Sequence, residues 1–418
     1  MDCKGKRVLV MGRGVSGSGA ARVYSALGAE AEVRTGRRGL RADDDFDIIV
    51  VSPGLPFDHP IFDDAAKKNI SIMSDIALGA ELCAAPVIGV TGTNGKTTTV
   101  GMLGEIYREA GIKASVCGNI GRSFAEEAYG GGFDRAILEL SSFQLLHASP
   151  LRCHIACILN ITPDHLDYHG TFSAYRAAKL KIADGQTPSD YLLVPADLDI
   201  AGINGKPEVL RAGTDFYADE YLVVAGKKIM PVGALAAKGK HNTDNALFAA
   251  AAAYADGVDE DAIASALARF RTGAHRISEV GEINGTVFYD DSKGTNPAAT
   301  LAAARCMNGR TALIAGGSDK DCDFVDMFAS LPANVEGIFL TGANAEKMAA
   351  AARAAGREAT VFDGLRECVE RCGRGEYDSV LFSPASASFD RYNGYAERGM
   401  AFGREVSRLV SGADGKTE

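Results

Sequence analysis

Short runs of β-branched and other apolar residues alternate with alanine-rich, helix-forming stretches along the whole chain. Strands apolar at successive positions are covered on both faces, so the alternation predicts parallel sheets joined by crossover helices, an α/β protein. Arg7–Met11 reads as a buried strand, Gly12 to Gly17 as a turn and Ser18 to Leu27 as a helix, with further strands at 32–35, 47–51 and 70–73. A second start falls at Pro86 to Val90, again a strand running into a glycine turn and a helix, followed by strands at 135–140 and 154–159. Helices are predicted over 242–254 and 259–270, and a polar connection, Arg271 to Arg276, follows. Beyond it, strands at 279–283 and 287–290 flank Asn284-Gly285, a two-residue hairpin turn, and strands at 312–315, 337–341 and 379–382 rebuild a sheet. The expected domains are therefore residues 1–84, 85–272 and 273–418.

Composition narrows the class. At 418 residues the chain exceeds one domain, and 46% hydrophobic against 23% charged residues is an ordinary globular balance. A formal charge of −10 argues against binding the phosphate backbone of nucleic acid. Nine cysteines without a C-x-x-C spacing read as buried thiols in a reducing compartment. The apolar run Val8 to Met11 is too short for a signal peptide, and the alanine-rich 246–255 is too short for a membrane span, so a cytoplasmic protein without membrane attachment is expected. Asp43-Asp44-Asp45 reads as a solvated loop.

Two glycine motifs carry candidate chemistry. In Gly92-Thr93-Asn94-Gly95-Lys96-Thr97-Thr98, a strand feeds a turn and a helix N-terminus, so backbone N–H groups can face phosphate. Lys96 would neutralise charge and Thr97 could hold Mg²⁺; Val90 stands where the usual phosphate loop has its first glycine. Gly12-Arg13-Gly14-Val15-Ser16-Gly17 also opens a helix after a strand, which fits a diphosphate site or close packing. The following strand ends in Val33-Arg34-Thr35-Gly36-Arg37, too basic for an NAD ribose site. Glu139 ends a strand, where ligands gather in open α/β sheets.

Further segments occur in the order found in one family: Gly118-Asn119-Ile120-Gly121, Glu139-Leu-Ser141-Ser-Phe-Gln144, Asn160-Ile-Thr-Pro-Asp164-His165-Leu-Asp167, His241-Asn242-Thr-Asp-Asn245, His275-Arg276, Asp291-Ser-Lys293-Gly-Thr295-Asn296 and Ser383-Pro-Ala-Ser-Ala-Ser388-Phe389-Asp390. Over its whole length the chain resembles the Mur ligases, and within them the branch that adds D-glutamate to UDP-N-acetylmuramoyl-L-alanine. The resemblance implies a Rossmann-like UDP-sugar-binding first domain, a P-loop-type ATPase centre and a Rossmann-like C-terminal domain that takes the amino acid. It implies a monomer that uses ATP to make an acyl phosphate in peptidoglycan precursor synthesis; other Mur-type amide ligases and folylpolyglutamate synthase share this machinery. Lys96, His165 and Lys179 would be catalytic. Thr97 and Glu139 would hold one Mg²⁺, and His165 with a CO₂-derived carbamate on Lys179, fourteen residues further on, a second. ATP would meet Gly92 to Thr98, Asn242, Asn245, Arg276, Asp291 and Lys293. The UDP-sugar would meet Val15, Ser16, Thr35, Arg37, Ser52, Asn119, Ser141 and His165. D-Glutamate would meet Thr295, Lys320, Ser388, Phe389 and Tyr395, and sites shared by two domains imply closure over a hydrolysable intermediate.

Overall fold

The computed structural model describes residues 3–237, 239–271, 273–318 and 322–413, apart from the side chains of Asp167, Gly412 and Ala413. It divides into two compact units, one up to Phe270 and one from Arg271. In the first unit, β1 (Arg7–Met11), β2 (Glu30–Arg34), β3 (Ile48–Val51) and β4 (Ser71–Met73) form a parallel sheet in the order β2-β1-β3-β4. A second parallel sheet, β10-β9-β8-β5-β7-β6, is made from β5 (Val87–Thr91), β6 (Ala114–Gly118), β7 (Arg135–Glu139), β8 (Ile155–Ile158), β9 (Tyr191–Val194) and β10 (Glu208–Arg211). Both are apolar on two faces. Ile48–Val51 and Val87–Thr91 are buried at every position, so the chain must return by helices that cover each side.

Strand order decides where a ligand can enter. From β1 the chain goes to β2 on one side and then to β3 on the other; from β5 it visits β6 and β7 before crossing to β8. Order reverses at β1 and at β5, and the loops after these two strands are the two glycine motifs. After β1 the helix begins at Val15, three residues earlier than the sequence predicts, because Gly17 packs inside its first turn. A Cβ on Gly17 would stand 2.3 Å from the Gly12 carbonyl oxygen.

A small antiparallel sheet, β11 (Phe216–Ala218), β12 (Tyr221–Val224) and β13 (Lys227–Pro231), closes one side of the second core and was not foreseen. The aspartate run also needs correction. Asp44 is buried, accepts two hydrogen bonds from Arg34 at 2.5 and 2.7 Å and one from the Arg41 amide at 2.7 Å. The guanidinium holds its carboxyl down at about 2. Arg34 is thus a structural cation, and in the run only Asp43 and Asp45, both exposed, fit a solvated loop.

The second unit contains β14 (Ser278–Ile283), β15 (Thr286–Asp290), β16 (Thr311–Ala315), β17 (Val335–Leu340), β18 (Thr360–Val361) and β19 (Ser379–Phe382) in the order β14-β15-β19-β16-β17-β18. All pairs are parallel except the β14–β15 hairpin. Its turn residues Asn284 and Gly285 both have left-handed φ, 51° and 81°, as a type I′ turn requires. The connection back to β19 brings Ser383 beside Asp291.

Candidate active site

Gly95 ends the loop after β5 in a left-handed conformation, φ 87°, and the helix Lys96–Glu109 starts at the next residue. A Cβ on Gly95 would lie 2.2 Å from Asn245 Oδ1, so the loop is closed down by the helix Lys240–Ala255, whose first two turns also bury Asn242. The loop's helix N-terminus and amides form an anion-binding turn.

Two lysines meet at one carbonyl. Lys96 Nζ donates to Gly92 O at 2.7 Å and Thr93 O at 2.9 Å, while Lys179 Nζ, from the helix Phe172–Leu180, donates to the same Gly92 O at 2.8 Å. Lys179 is 2% exposed and lies 4.7 Å above the Tyr175 ring. Burial, reinforced by the Lys96 charge, pushes its amine well below the usual lysine range, against the opposing pull of Asp164 and Glu139. Tyr175 is fixed in turn by a 3.0 Å hydrogen bond to the Thr93 hydroxyl of the phosphate turn.

Glu139, at the end of β7, is buried with both oxygens engaged: Thr97 Oγ1 donates to one at 2.6 Å and Asn119 Nδ2 to the other at 2.8 Å. A hydroxyl and a carboxylate beside a phosphate turn suit Mg²⁺, which draws its remaining ligands from phosphates and water. Among the described residues no group of three His, Cys, Asp and Glu side chains could enclose a metal without such help. His165 has a left-handed φ of 52°; its amide donates to Asp164 Oδ1 at 2.9 Å and its ring stands edge-on to Phe143, centroids 4.9 Å apart. The Asp164–His165 turn is therefore near Lys179, whose amine responds to Asp164.

Asn119 also lines a cleft of about 490 Å³ with Gly12, Gly14, Val15, Ser16, Ser52 and Gly121. The first glycine motif and the central sheet thus share one wall. Ser52 Oγ faces this region without a hydrogen-bond partner. Ser141 begins the next helix, Ser142–Leu145, in a capping box with Gln144. Thr35 and Arg37 are exposed and do not line the cleft; Arg37 is ion-paired with Asp58.

In the second unit Asp291 accepts a 2.7 Å hydrogen bond from Ser383, and burial lifts its carboxyl to about 7 against the Arg276 charge. Lys293 Nζ lies 3.8 Å from the centroid of the Tyr395 ring. Thr295 is half-buried, Ser388 is buried and Phe389 is 73% exposed. Lys320 lies outside the described residues. The sequence reading missed Arg398. Buried in the helix Tyr395–Ala413, it donates to Ser292 Oγ and O, Ser386 O and Ala387 O at 2.9 to 3.0 Å, binding the 291–295 segment to the Ser383–Ser388 loop. Asn344 also holds this loop, donating to Ser386 Oγ at 2.8 Å. Their signal, an arginine within an exposed-looking helix and one asparagine among many, is invisible without the fold.

Parallel sheets and a phosphate turn with a buried lysine beside it define the class, an α/β protein with a nucleotide-phosphate site. Residues 90–253 match the Mur ligase middle domain and 275–386 the Mur ligase glutamate ligase domain. The chain is 35% identical to the UDP-N-acetylmuramoylalanine--D-glutamate ligase of Caldanaerobacter subterraneus subsp. tengcongensis, across 98% of this chain and 100% of that one. The enzyme of the same name from Streptococcus pneumoniae strain P1031 is 34% identical, across 97% and 98%. Among solved structures, the UDP-N-acetylmuramate-alanine ligase of Thermotoga maritima superposes with a TM-score of 0.64 at 18% identity, covering 97% of this chain and 100% of that one. The folylpolyglutamate synthase of Mycobacterium tuberculosis superposes at 0.61 and 17%, covering 79% and 94%. The chain belongs to the Mur ligase family.

Proposed function

We propose that this protein is an ATP-dependent ligase that joins D-glutamate to UDP-N-acetylmuramoyl-L-alanine, a step of cytoplasmic peptidoglycan precursor synthesis. The observation that carries the reading is the convergence of Lys96 and Lys179 on the Gly92 carbonyl beside Thr97, Glu139 and Asn119, with Asn119 facing the cleft of the first glycine motif. Full-length similarity to enzymes carrying that name supports the choice of amino acid.

In this reading the UDP-sugar lies against Val15, Ser16, Ser52 and Asn119, and its alanine carboxylate reaches the phosphate turn near Ser141 and His165. The carboxylate oxygen attacks the γ-phosphorus of ATP, giving ADP and an acyl phosphate; the amine of D-glutamate then attacks the acyl carbon and phosphate leaves. Lys96 and the turn amides stabilise charge on the transferring phosphoryl group. Asn242 and Asn245 take the adenine side, and Arg276, Asp291 and Lys293 take phosphate and ribose. Thr97 and Glu139 would hold Mg²⁺, which would supply charge neutralisation to the phosphates. Burial favours the uncharged amine of Lys179, the form that adds CO₂, and its carbamate with His165 would hold a second ion. Thr295, Lys320, Ser388, the Phe389 backbone and Tyr395 would receive D-glutamate.

Measurement of ADP release from the purified chain with UDP-N-acetylmuramoyl-L-alanine and each amino acid tests the proposal. Turnover is expected with D-glutamate. Faster turnover with L-alanine, L-lysine or meso-diaminopimelate would overturn the substrate assignment.

A further inference from the structure

The strand order β2-β1-β3-β4 makes the chain cross β1 on its way from β2 to β3, and the crossing segment, 35–47, contains neither helix nor strand. Side chains from one edge of the helix Pro60–Lys68 nevertheless hold it along its length. His59, the residue that caps this helix, reaches Gly36. Asp64 Oδ2 accepts from the Leu40 amide at 2.8 Å, and Lys68 Nζ donates to Arg41 O, Ala42 O and Asp44 O at 3.3, 3.4 and 2.7 Å. Arg37 and Asp58, both exposed, add an ion pair beside the His59 contact.

His59 is 2% exposed and both of its ring nitrogens are engaged. The Ile61 amide donates to Nδ1 at 3.1 Å, which leaves the ring proton on Nε2, and Nε2 donates to Gly36 O at 2.8 Å. Gly36 is left-handed, φ 93°, and a Cβ there would meet nothing within 4 Å. The backbone bend alone calls for glycine, and its bare face is open. Gly14 after β1 and Gly54 after β3 are equally open. Three neighbouring loops at the carboxyl ends of the strands thus present uncovered backbone, where a ligand can approach closely. Gly12 N donates to Arg34 O at 2.9 Å and Ser52 N to Met11 O at 3.0 Å, so the loops after β2 and β3 flank Met11 and Gly12 of the cleft. The Gly36–His59 bond joins these two flanks past the end of β1.

We infer that His59 is a positioning residue for the nucleotide half of the UDP-sugar: its Nε2–H fixes the bend at Gly36, and that bend is the wall beside which the uridine lies. The inference rests on the assignment of the cleft to the UDP-sugar. With the diphosphate at the Gly12–Gly17 turn, Ser52 and Asn119 take the sugar arm on its way to the phosphate turn. The uridine must leave in the other direction, along the flank formed by the loop after β2. A planar base with donors and acceptors on its edge can pair with the bare backbone there. Glycine is the residue with the most conformations to lose, so a Gly36 released from His59 would have to be ordered at the moment of binding, and affinity would fall.

Two substitutions separate the two bonds of the ring. His59→Asn puts an oxygen where Nδ1 accepts from Ile61 and remains a good helix cap, but it is too short to reach Gly36. His59→Gln carries an amide nitrogen out to the place of Nε2 and gives up the cap. Calorimetric titration of the full chain with UDP and with UDP-N-acetylmuramoyl-L-alanine reads affinity, and thermal unfolding reads stability. His59→Asn should weaken Kd for both ligands by about fivefold, the scale of one hydrogen bond, with Tm within about 2 °C of wild type and KM for ATP within about twofold. His59→Gln should bind both ligands within about twofold of wild type while melting a few degrees lower. Wild-type affinity in His59→Asn, or equal weakening in both variants, overturns the inference and leaves the cleft assignment standing. A loss confined to UDP-N-acetylmuramoyl-L-alanine, with UDP unaffected, also overturns it, because the tie would then serve the sugar arm. No binding of either ligand by wild type removes the cleft assignment and the inference with it.

Discussion

At Lys179 the interior withdraws the water that an ammonium needs, and Lys96 places a second cation on the same carbonyl. Both effects favour the uncharged amine, the form that the proposed carbamate requires. Lys179→Ala should lose amide synthesis by about 10³-fold, the scale set by removing one group aimed at developing charge. Acetate or formate should restore part of it by supplying carboxylate oxygens in the vacated space. Initial rates with and without added carboxylate decide this, and full activity of the unsupplemented variant would make Lys179 a merely structural residue. Asp44 follows the opposite logic, since Arg34 stabilises its charged form. Its folded value, about 2, lies below the usual carboxylate value, so its contribution is present above about pH 4 and is lost as pH falls toward 2. Asp44→Ala leaves the half-buried Arg34 with the more exposed Glu32 as its carboxylate partner and should cost about 2 kcal/mol at pH 7, read from urea unfolding, with the deficit narrowing at pH 3.

Arg398 shows how an element can matter to a site that it does not touch. Four hydrogen bonds from one guanidinium hold the Ser383–Ser388 loop to the Ser292 backbone. Lysine carries the charge without the planar fork, so Arg398→Lys should lower stability by about 2 to 4 kcal/mol. It should also raise KM for the amino acid more than for the UDP-sugar, measured by steady-state kinetics at a temperature where the variant stays folded. Equal changes in both constants would reduce Arg398 to a packing role. Elements of this kind mark the limit of the sequence. Strands such as Arg7–Met11, Ser379–Phe382 and the Asn284-Gly285 hairpin were legible because double-sided burial and turn chemistry leave a local pattern. The β11–β13 sheet was not, because its strands are three to five residues long and mix exposed with buried positions in no fixed period. The phosphate turn was readable from its glycines and Lys96. The shared acceptor of Lys96 and Lys179 was not, since it joins residues 87 positions apart.

On the scale of the whole chain, the candidate chemistry divides between two units. The phosphate turn, Lys179, Glu139 and the cleft belong to the unit ending at Phe270; Asp291, Lys293, Thr295 and Ser388 belong to the other. Under the proposed reaction the first unit supplies the phosphate turn, and the second supplies the amino-acid contacts together with Arg276, Asp291 and Lys293 for ATP, so variants of the turn and of the amino-acid contacts should change different constants. Lys96→Ala should reduce kcat by orders of magnitude, since its charge matters most as the γ-phosphoryl group moves. Lys320→Ala removes a cation proposed for a D-glutamate carboxylate, a contact made equally in the ground and transition states. It should raise KM for D-glutamate by about tenfold or more, the value of one charge-assisted hydrogen bond, while KM for ATP stays within about twofold. A Lys320→Ala protein with both KM values raised together, or with neither changed, would place Lys320 outside the amino-acid site. The source of D-glutamate recognition would then have to be sought among Thr295, Ser388 and Tyr395.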